Sequence, residues 1–242
     1  HFFPQDKALK KQYITAGAVC GGMLAISVNF QQFGISAYPA GAAAEARSGF
    51  ITALYVVFVP LLSFFFGKKV SPVIWASVAV AVVGFYMLCL SGGISGIYTA
   101  DILVFICAFC FAGQIISVDK FVGLTGGVKL SVMQFTVAGA LSAVFEVIFE
   151  RPTFDNIIAA APQILYLGIV SSGVGYTLQI VGQKYAEPSV ASLSMSLESV
   201  FAALGGWLIS GNTLTGREFI GCALVFAAII VAQIPEMAGS RK

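Results

Sequence analysis

One carboxylate stands inside a long apolar run. Glu198 lies in Ser194-Met-Ser-Leu-Glu-Ser-Val-Phe-Ala-Ala-Leu204, and an ionisable side chain at mid-bilayer costs about 2.5–3.5 kcal/mol on insertion scales. Such a group must face a cavity, find a partner or hold a proton. It reads either as a coupling site that takes a proton or binds a substrate amine, or as a neutral Glu bonded to a neighbouring helix. Two polar stripes accompany it. Asn29 and Gln32, with Gln31 between them, are three apart and share a helix face; Tyr176, Gln179 and Gln183 repeat at three and four. Each Gln alone reads better as an interhelical hydrogen bond, worth about 0.6 kcal/mol on average. The two stripes together read as a cavity lining with donors and acceptors for a polar or zwitterionic solute. Gln114 and Gln134 are isolated polar residues of two further apolar runs, and Tyr55, shortly before Pro60, is counted with the lining candidates. Pro60 removes a backbone hydrogen bond, which makes it either a hinge beside a polar path or a fixed kink. Glu45 and Arg47, at the outer entrance, read as a solvated pair, with an ion pair or a gate as the alternatives, and Asp119 and Lys120 at the cytoplasmic surface read as solvated.

Other chemistry finds no material. No phosphate-binding glycine loop, zinc-ligand cluster or nucleophile elbow occurs, and the one histidine is residue 1. The expectation is no enzyme, no cofactor and no metal site. Cys20, Cys89, Cys107, Cys110 and Cys222 all fall inside apolar runs, where a disulfide framework is not expected. Cys107 and Cys110 have redox-motif spacing but no βαβ context, so they read as core packing. A net charge of +2 without a basic stripe argues against nucleic acid.

These residues must be positioned by membrane helices. Of 242 residues, 58% are hydrophobic and 10% charged, against roughly 25% charge in soluble domains. Runs such as 74–90 are apolar on every face, and about 20 apolar residues span the hydrocarbon core. The sequence predicts eight helices, at 12–34, 46–66, 72–91, 99–118, 129–149, 157–182, 188–210 and 216–235. Gly67 and Gly211 each follow an apolar helix as a C′ glycine does. Ser71 and Thr215, four residues later, suit the next N-cap, and Pro152, Pro162 and Pro188 lie near helix starts. The stretch 91–96 is a loop by composition. Small residues at Gly17, Gly21 and Gly22, and again at Ser171, Ser172, Gly173 and Gly175, permit close helix packing. With a cytoplasmic N-terminus, ten of the 13 Lys and Arg residues fall inside and only Arg47, Arg151 and Arg217 outside, so both termini are expected in the cytoplasm. A first residue of His rather than Met suggests a fragment or a processed product.

The pattern occurs twice. An apolar run, Gly67, two polar residues, Val70, Ser71 and another span is echoed by an apolar run, Gly211, Asn212, Thr213, Leu214, Thr215 and another span. The first turn carries Lys68 and Lys69 and the second has no Lys, as for two units of opposite orientation. The segments Ala46-Arg-Ser-Gly-Phe-Ile-Thr-Ala-Leu-Tyr-Val-Val-Phe-Val-Pro60 and Ser194-Met-Ser-Leu-Glu-Ser-Val-Phe-Ala-Ala-Leu-Gly-Gly-Trp-Leu208, with the opening Asp101-Ile-Leu-Val, resemble the drug/metabolite transporter (DMT) superfamily, specifically its EamA-like members. The resemblance covers the whole chain and implies ten helices in two inverted sets of five, of which the first two are lacking. Residues 1–95 would then be a partial first repeat of three helices and 96–242 a second repeat of five. Ser199 departs from the proline that Pro60 supplies in the first repeat, and the loop at 34–48 is longer than its counterpart after Gly182.

The implied function is a secondary transporter of the bacterial inner membrane, exporting a small polar metabolite such as an amino acid, with proton coupling at Glu198 as an option. The alternative is a non-transporting membrane scaffold or an inactive truncated fragment. The expected partners are the lipid bilayer and a small-molecule solute; a homodimer stays open.

Overall fold

In a computed structural model the chain is helical, with no strand among the described residues, which are 6–40, 44–90, 97–149, 152–210 and 215–239. The expectations for the 91–96 loop, Gly211, Arg151, the side chain of Glu45 and the C-terminal Arg241 and Lys242 fall outside those residues. The helices are α1 (Lys7–Ser36), α2 (Ala44–Ala53), α3 (Tyr55–Phe65), α4 (Pro72–Cys89), α5 (Thr99–Thr125), α6 (Gly127–Phe149), α7 (Phe154–Ala159), α8 (Ala161–Leu165), a π-helical stretch (Tyr166–Tyr176), α9 (Thr177–Gln183), α10 (Pro188–Met195), α11 (Leu197–Ser210) and α12 (Gly216–Gly239).

Local chemistry sets several ends. Gly67 has φ +82°, and its N–H donates to Phe64 O while that of Lys68 donates to Ser63 O, both at 2.9 Å. That is a Schellman stop, which needs a residue without Cβ. Ser71 Oγ then accepts from Val73 N–H, with Pro72 in the first turn. At α12, Thr215 and Glu218 form a reciprocal box: Thr215 N–H donates to Glu218 Oε2 at 2.8 Å, and Glu218 N–H donates to Thr215 Oγ1 at 3.3 Å.

Four expectations change. The helix expected over 99–118 runs on to Thr125 and meets α6 across Gly126 alone, whose φ of +80° makes the turn. Asp119 and Lys120 therefore belong to a helix rather than a loop. The helix expected over 157–182 is instead α7, α8, eleven residues of π-helix and α9. The helix expected over 188–210 breaks at Ser196, whose N–H is shared between Ser192 O and Leu193 O at 3.2 Å each, while Ser199 N–H turns back to Ser196 O and Ser196 Oγ donates to Leu193 O at 2.5 Å. A similar i−3 turn at Leu54 separates α2 from α3, ahead of Pro60.

Seven segments among the described residues are long and apolar enough to span a membrane: α1, Ala46–Phe65, α4, α5, α6, Ala161–Gln183 and Gly216–Pro235. Helix directions show how the broken pair counts. A Cβ on Gly17 would meet Met133 and one on Gly21 would meet Val137, so α1 and α6 run parallel. A Cβ on Gly84 would meet Val225 and one on Gly221 would meet Leu88, so α4 and α12 run antiparallel. Successive crossings alternate in direction, so antiparallel helices have an even number of crossings between them. Between α4 and α12 lie α5, α6 and Ala161–Gln183, which is odd. Antiparallel α4 and α12 therefore call for one crossing beyond these seven candidate spans, and α10–α11 is the remaining segment between them.

Two compact units are formed, His1–Asn29 with Ile116–Ala186 and Phe30–Ile115 with Glu187–Lys242. In the first, Ala16, Cys20, Val118, Val122, Leu130 and Ile180 make the core, and the small side of α1 at Gly17 and Gly21 lets α6 approach to backbone contact. Ser131 and Thr177 share a 2.6 Å hydrogen bond between α6 and α9. The stretch Ala161–Gln183 leaves Leu165, Leu167, Ile169, Val174 and Leu178 exposed. In the second unit α4 lies along α12, and α10 packs on α3. Val56, Ile74, Val78, Phe85, Leu193, Val225 and Ile229 are among its core residues.

Candidate functional site

Among the described residues, a buried polar centre lies in the second unit, at the ends of three helices. Arg47 is in the first turns of α2, and Asp101 is in the first turn of α5, where the helix dipole favours a carboxylate. Arg47 Nη2 donates to Asp101 Oδ2 at 2.6 Å and Nε to Oδ1 at 3.3 Å, a bidentate pair. The two side chains are only 7% and 11% exposed. Tyr38 OH donates to Oδ1 at 2.6 Å and the backbone N–H of Tyr98 to Oδ2 at 2.8 Å. The guanidinium carbon lies 4.7 Å from the centre of the Tyr98 ring and 6.0 Å from that of Tyr38, and the two rings meet edge to face. Burial first, then the hydrogen bond to Asp101, pushes the Tyr38 phenol above its ordinary value, so it remains a donor at neutral pH. Both carboxylate oxygens of Asp101 thus accept two hydrogen bonds each, the kind of local pairing a buried charge requires.

Beside this pair runs an apolar groove of about 300 Å³, walled by Phe50 and Ile51 of α2, Leu54 at the turn that follows it, Ile102 and Phe105 of α5, and Leu90 and Ile97. Its volume is at the low end for small-molecule sites. Arg47 and Asp101 touch it and are paired with each other.

This arrangement corrects the reading of Arg47 as half of a solvated pair. It also brings in Asp101, Tyr38 and Tyr98, which lie outside the apolar runs that single out Glu198 and the Gln stripes. The available signal was an acidic residue in a helix's first turn, three residues after a tyrosine whose N–H it caps.

The residues expected to line a cavity divide between the units. In the first unit, Asn29 Nδ2 donates to Ala25 O at 2.8 Å and to Ser142 Oγ of α6 at 2.9 Å. Gln134 is fully buried on α6, Gln183 is buried on α9 and Gln179 is half-buried. Tyr176 lies edge to face with Phe135, ring centres 5.8 Å apart. Asn29 is thus tied to α6, and Tyr176 rests on the same helix. In the second unit Gln114 is buried, Tyr55 half-buried and Gln32 exposed. Gln31, between the stripe residues, donates to Thr52 Oγ1 at 3.3 Å. Pro60 is buried within α3. Glu198 falls in the first turn of α11, two residues after the break, with an exposed side chain. Among the described residues no group of three metal-ligating side chains occurs, and the five thiols are unpaired with one another.

Residues 98–233 match the sequence profile of the EamA-like transporter family. A protein of Archaeoglobus fulgidus called an uncharacterized transporter is 32% identical over 189 residues, which is 78% of this chain and 60% of that protein. A second protein of that name from the same organism is 33% identical over 66 residues, 27% of this chain and 24% of its own length. A solved crystal structure shares the fold, with a TM-score of 0.70 at 18% identity over 93% of this chain and 86% of the other. The chain thus spans about 60% of the length of the first of these relatives.

Proposed function

Because the chain belongs to the EamA-like transporter family, we propose that it forms most of a secondary transporter that exports a small polar metabolite, with amino acids as the leading class. The family match over 98–233 carries this reading. Three features support it. The seventh crossing is broken at mid-span and the second turns at Leu54, and discontinuous helices are a frequent way to free backbone groups beside a transported solute. Gln114, Gln134 and Gln183 are buried amides within spans, suited to an uncharged polar or zwitterionic solute. Helices at matching places in the chain, α4 with α12 and α3 with α10, pack on one another, as two inverted repeats do about their pseudo-twofold axis. The repeats would be 1–95 and 96–242, with both termini in the cytoplasm and the protein in the plasma membrane of a bacterial cell.

Transport on this scheme runs by alternating access. Gln114, Gln134, Gln179 and Gln183, with Asn29, Gln32, Tyr55 and Tyr176, offer hydrogen bonds to the solute. Glu198 takes and releases the coupling proton, and Pro60 loosens α3. The test is efflux of labelled amino acids and other polar metabolites from cells expressing the complete reading frame. Export above the empty-vector control, lost in Glu198→Gln at equal membrane insertion, supports both the transport and the coupling assignments. Absence of export for every solute on a broad panel would favour a scaffold.

A further inference from the structure

We propose that the groove between α2 and α5 is a binding site for one acyl chain of an anionic phospholipid, whose phosphate rests on Arg217. The proposal needs the chain to lie in a bilayer but does not need it to transport anything.

The groove has the chemistry of a chain and not of a polar solute. Phe50, Ile51, Leu54, Leu90, Ile97, Ile102 and Phe105 supply its walls, and its only ionic groups neutralise one another. Its depth also fits. Leu54 is about 15 Å along the axis from the start of α2 and Phe105 about 9 Å from the start of α5, at 1.5 Å per residue. That distance carries the groove past a headgroup layer roughly 5–8 Å thick and into the hydrocarbon. Ile97 and Ile102, at 84% and 55% exposure, open the groove outward, toward where lipid would be.

The cation stands at the mouth. Leu88 of α4 lies against Gly221 of α12, so the end of α4 and the start of α12 share one membrane side, together with Leu90 of the groove. Arg217 holds its guanidinium 5.1 Å from the Tyr86 ring centre. Tyr86 in turn meets Phe50, a groove wall, edge to face at 6.3 Å. An apolar slot leading from a guanidinium matches a lipid's anionic head and apolar tail, and Arg217 is one of only three cations on the side the charge census places outside.

The probe is the full chain taken from vesicles of equal phosphatidylglycerol and phosphatidylcholine into detergent, with retained lipid counted by native mass spectrometry. Wild-type protein should retain phosphatidylglycerol in preference to phosphatidylcholine. Leu54→Trp, which fills the groove, and Ile97→Glu, which charges its open rim without touching the core, should each cut retained lipid about tenfold as the chain loses its apolar cover. Arg217→Gln should erase the preference while leaving phosphatidylcholine retention unchanged. If Leu54→Trp compromises folding, Ile97→Glu carries the test. Wild-type retention in Ile97→Glu, or no retained lipid in the wild type, overturns the site; an unchanged preference in Arg217→Gln overturns the anionic assignment. Efflux lost in Ile97→Glu at unchanged lipid retention would make the groove part of a solute path, against the proposal.

Discussion

Removing one member of the Arg47–Asp101 pair leaves the other charge buried with its partners facing nothing, a loss of about 3–5 kcal/mol. Arg47→Gln and Asp101→Asn are therefore expected to lower the melting midpoint in detergent sharply. The paired replacement Arg47→Met with Asp101→Leu should recover only part of the loss, because it removes the uncompensated charge but leaves Tyr38 OH and Tyr98 N–H without the carboxylate they donate to. Equal midpoints for wild type and Asp101→Asn would mean that the pair is exposed to water. At this scale the sequence was legible only where the chemistry is local. Gly67 announces its turn because a left-handed backbone needs no distant partner. Asp101 and Arg47 are 54 residues apart, and neither position reveals the other. Gln183 and Gln134 are buried as an intramembrane amide requires, but Glu198 is exposed on a short helix and not central in a long one. The sequence between 194 and 204 contains neither proline nor glycine to announce the break.

At the scale of elements, small residues decide which helices touch. A Cβ on Gly221 would lie 2.7 Å from Gly84 O and 2.8 Å from Leu88 N. Both are backbone atoms that cannot swing aside, so Gly221→Leu should force α4 and α12 apart at a cost of about 1–3 kcal/mol or more. Gly139→Ala on α6 meets nothing within 4 Å and should gain up to about 1 kcal/mol of helix propensity. Thermal unfolding of the two variants checks the contrast; equal effects would contradict the close crossing. The glycine and serine stripes were visible in the sequence; Gly17 and Gly21 do seat α6, whereas Ser171, Gly173 and Gly175 are exposed, and a Cβ on either of these glycines would meet only its own helical stretch. Which stripe meets which helix was not visible, since that depends on pairings more than a hundred residues apart. The π-helical winding of Tyr166–Tyr176 likewise leaves no local mark beyond a run of small residues.

For the whole molecule the claim with most reach is that eight crossings, one of them broken, carry a solute through the bilayer. Helix direction supplies one check. Single cysteines at Lys184 and Thr215 flank α10–α11 and should label with impermeant maleimide from opposite sides of the membrane. Labelling from one side would make the pair a re-entrant hairpin and remove the even count that antiparallel α4 and α12 require. Composition made the membrane helices plain and the residue pattern made the family plain; composition alone left the solute path open, because holding helices together and facing a solute draw on the same residue types. The most direct measurement is uptake and counterflow of labelled amino acids in proteoliposomes holding the purified complete protein, with and without a pH gradient. The account predicts saturable counterflow that responds to the gradient and loses that response, by about tenfold or more, in Glu198→Gln. Correctly inserted protein that moves no solute under either condition would contradict it.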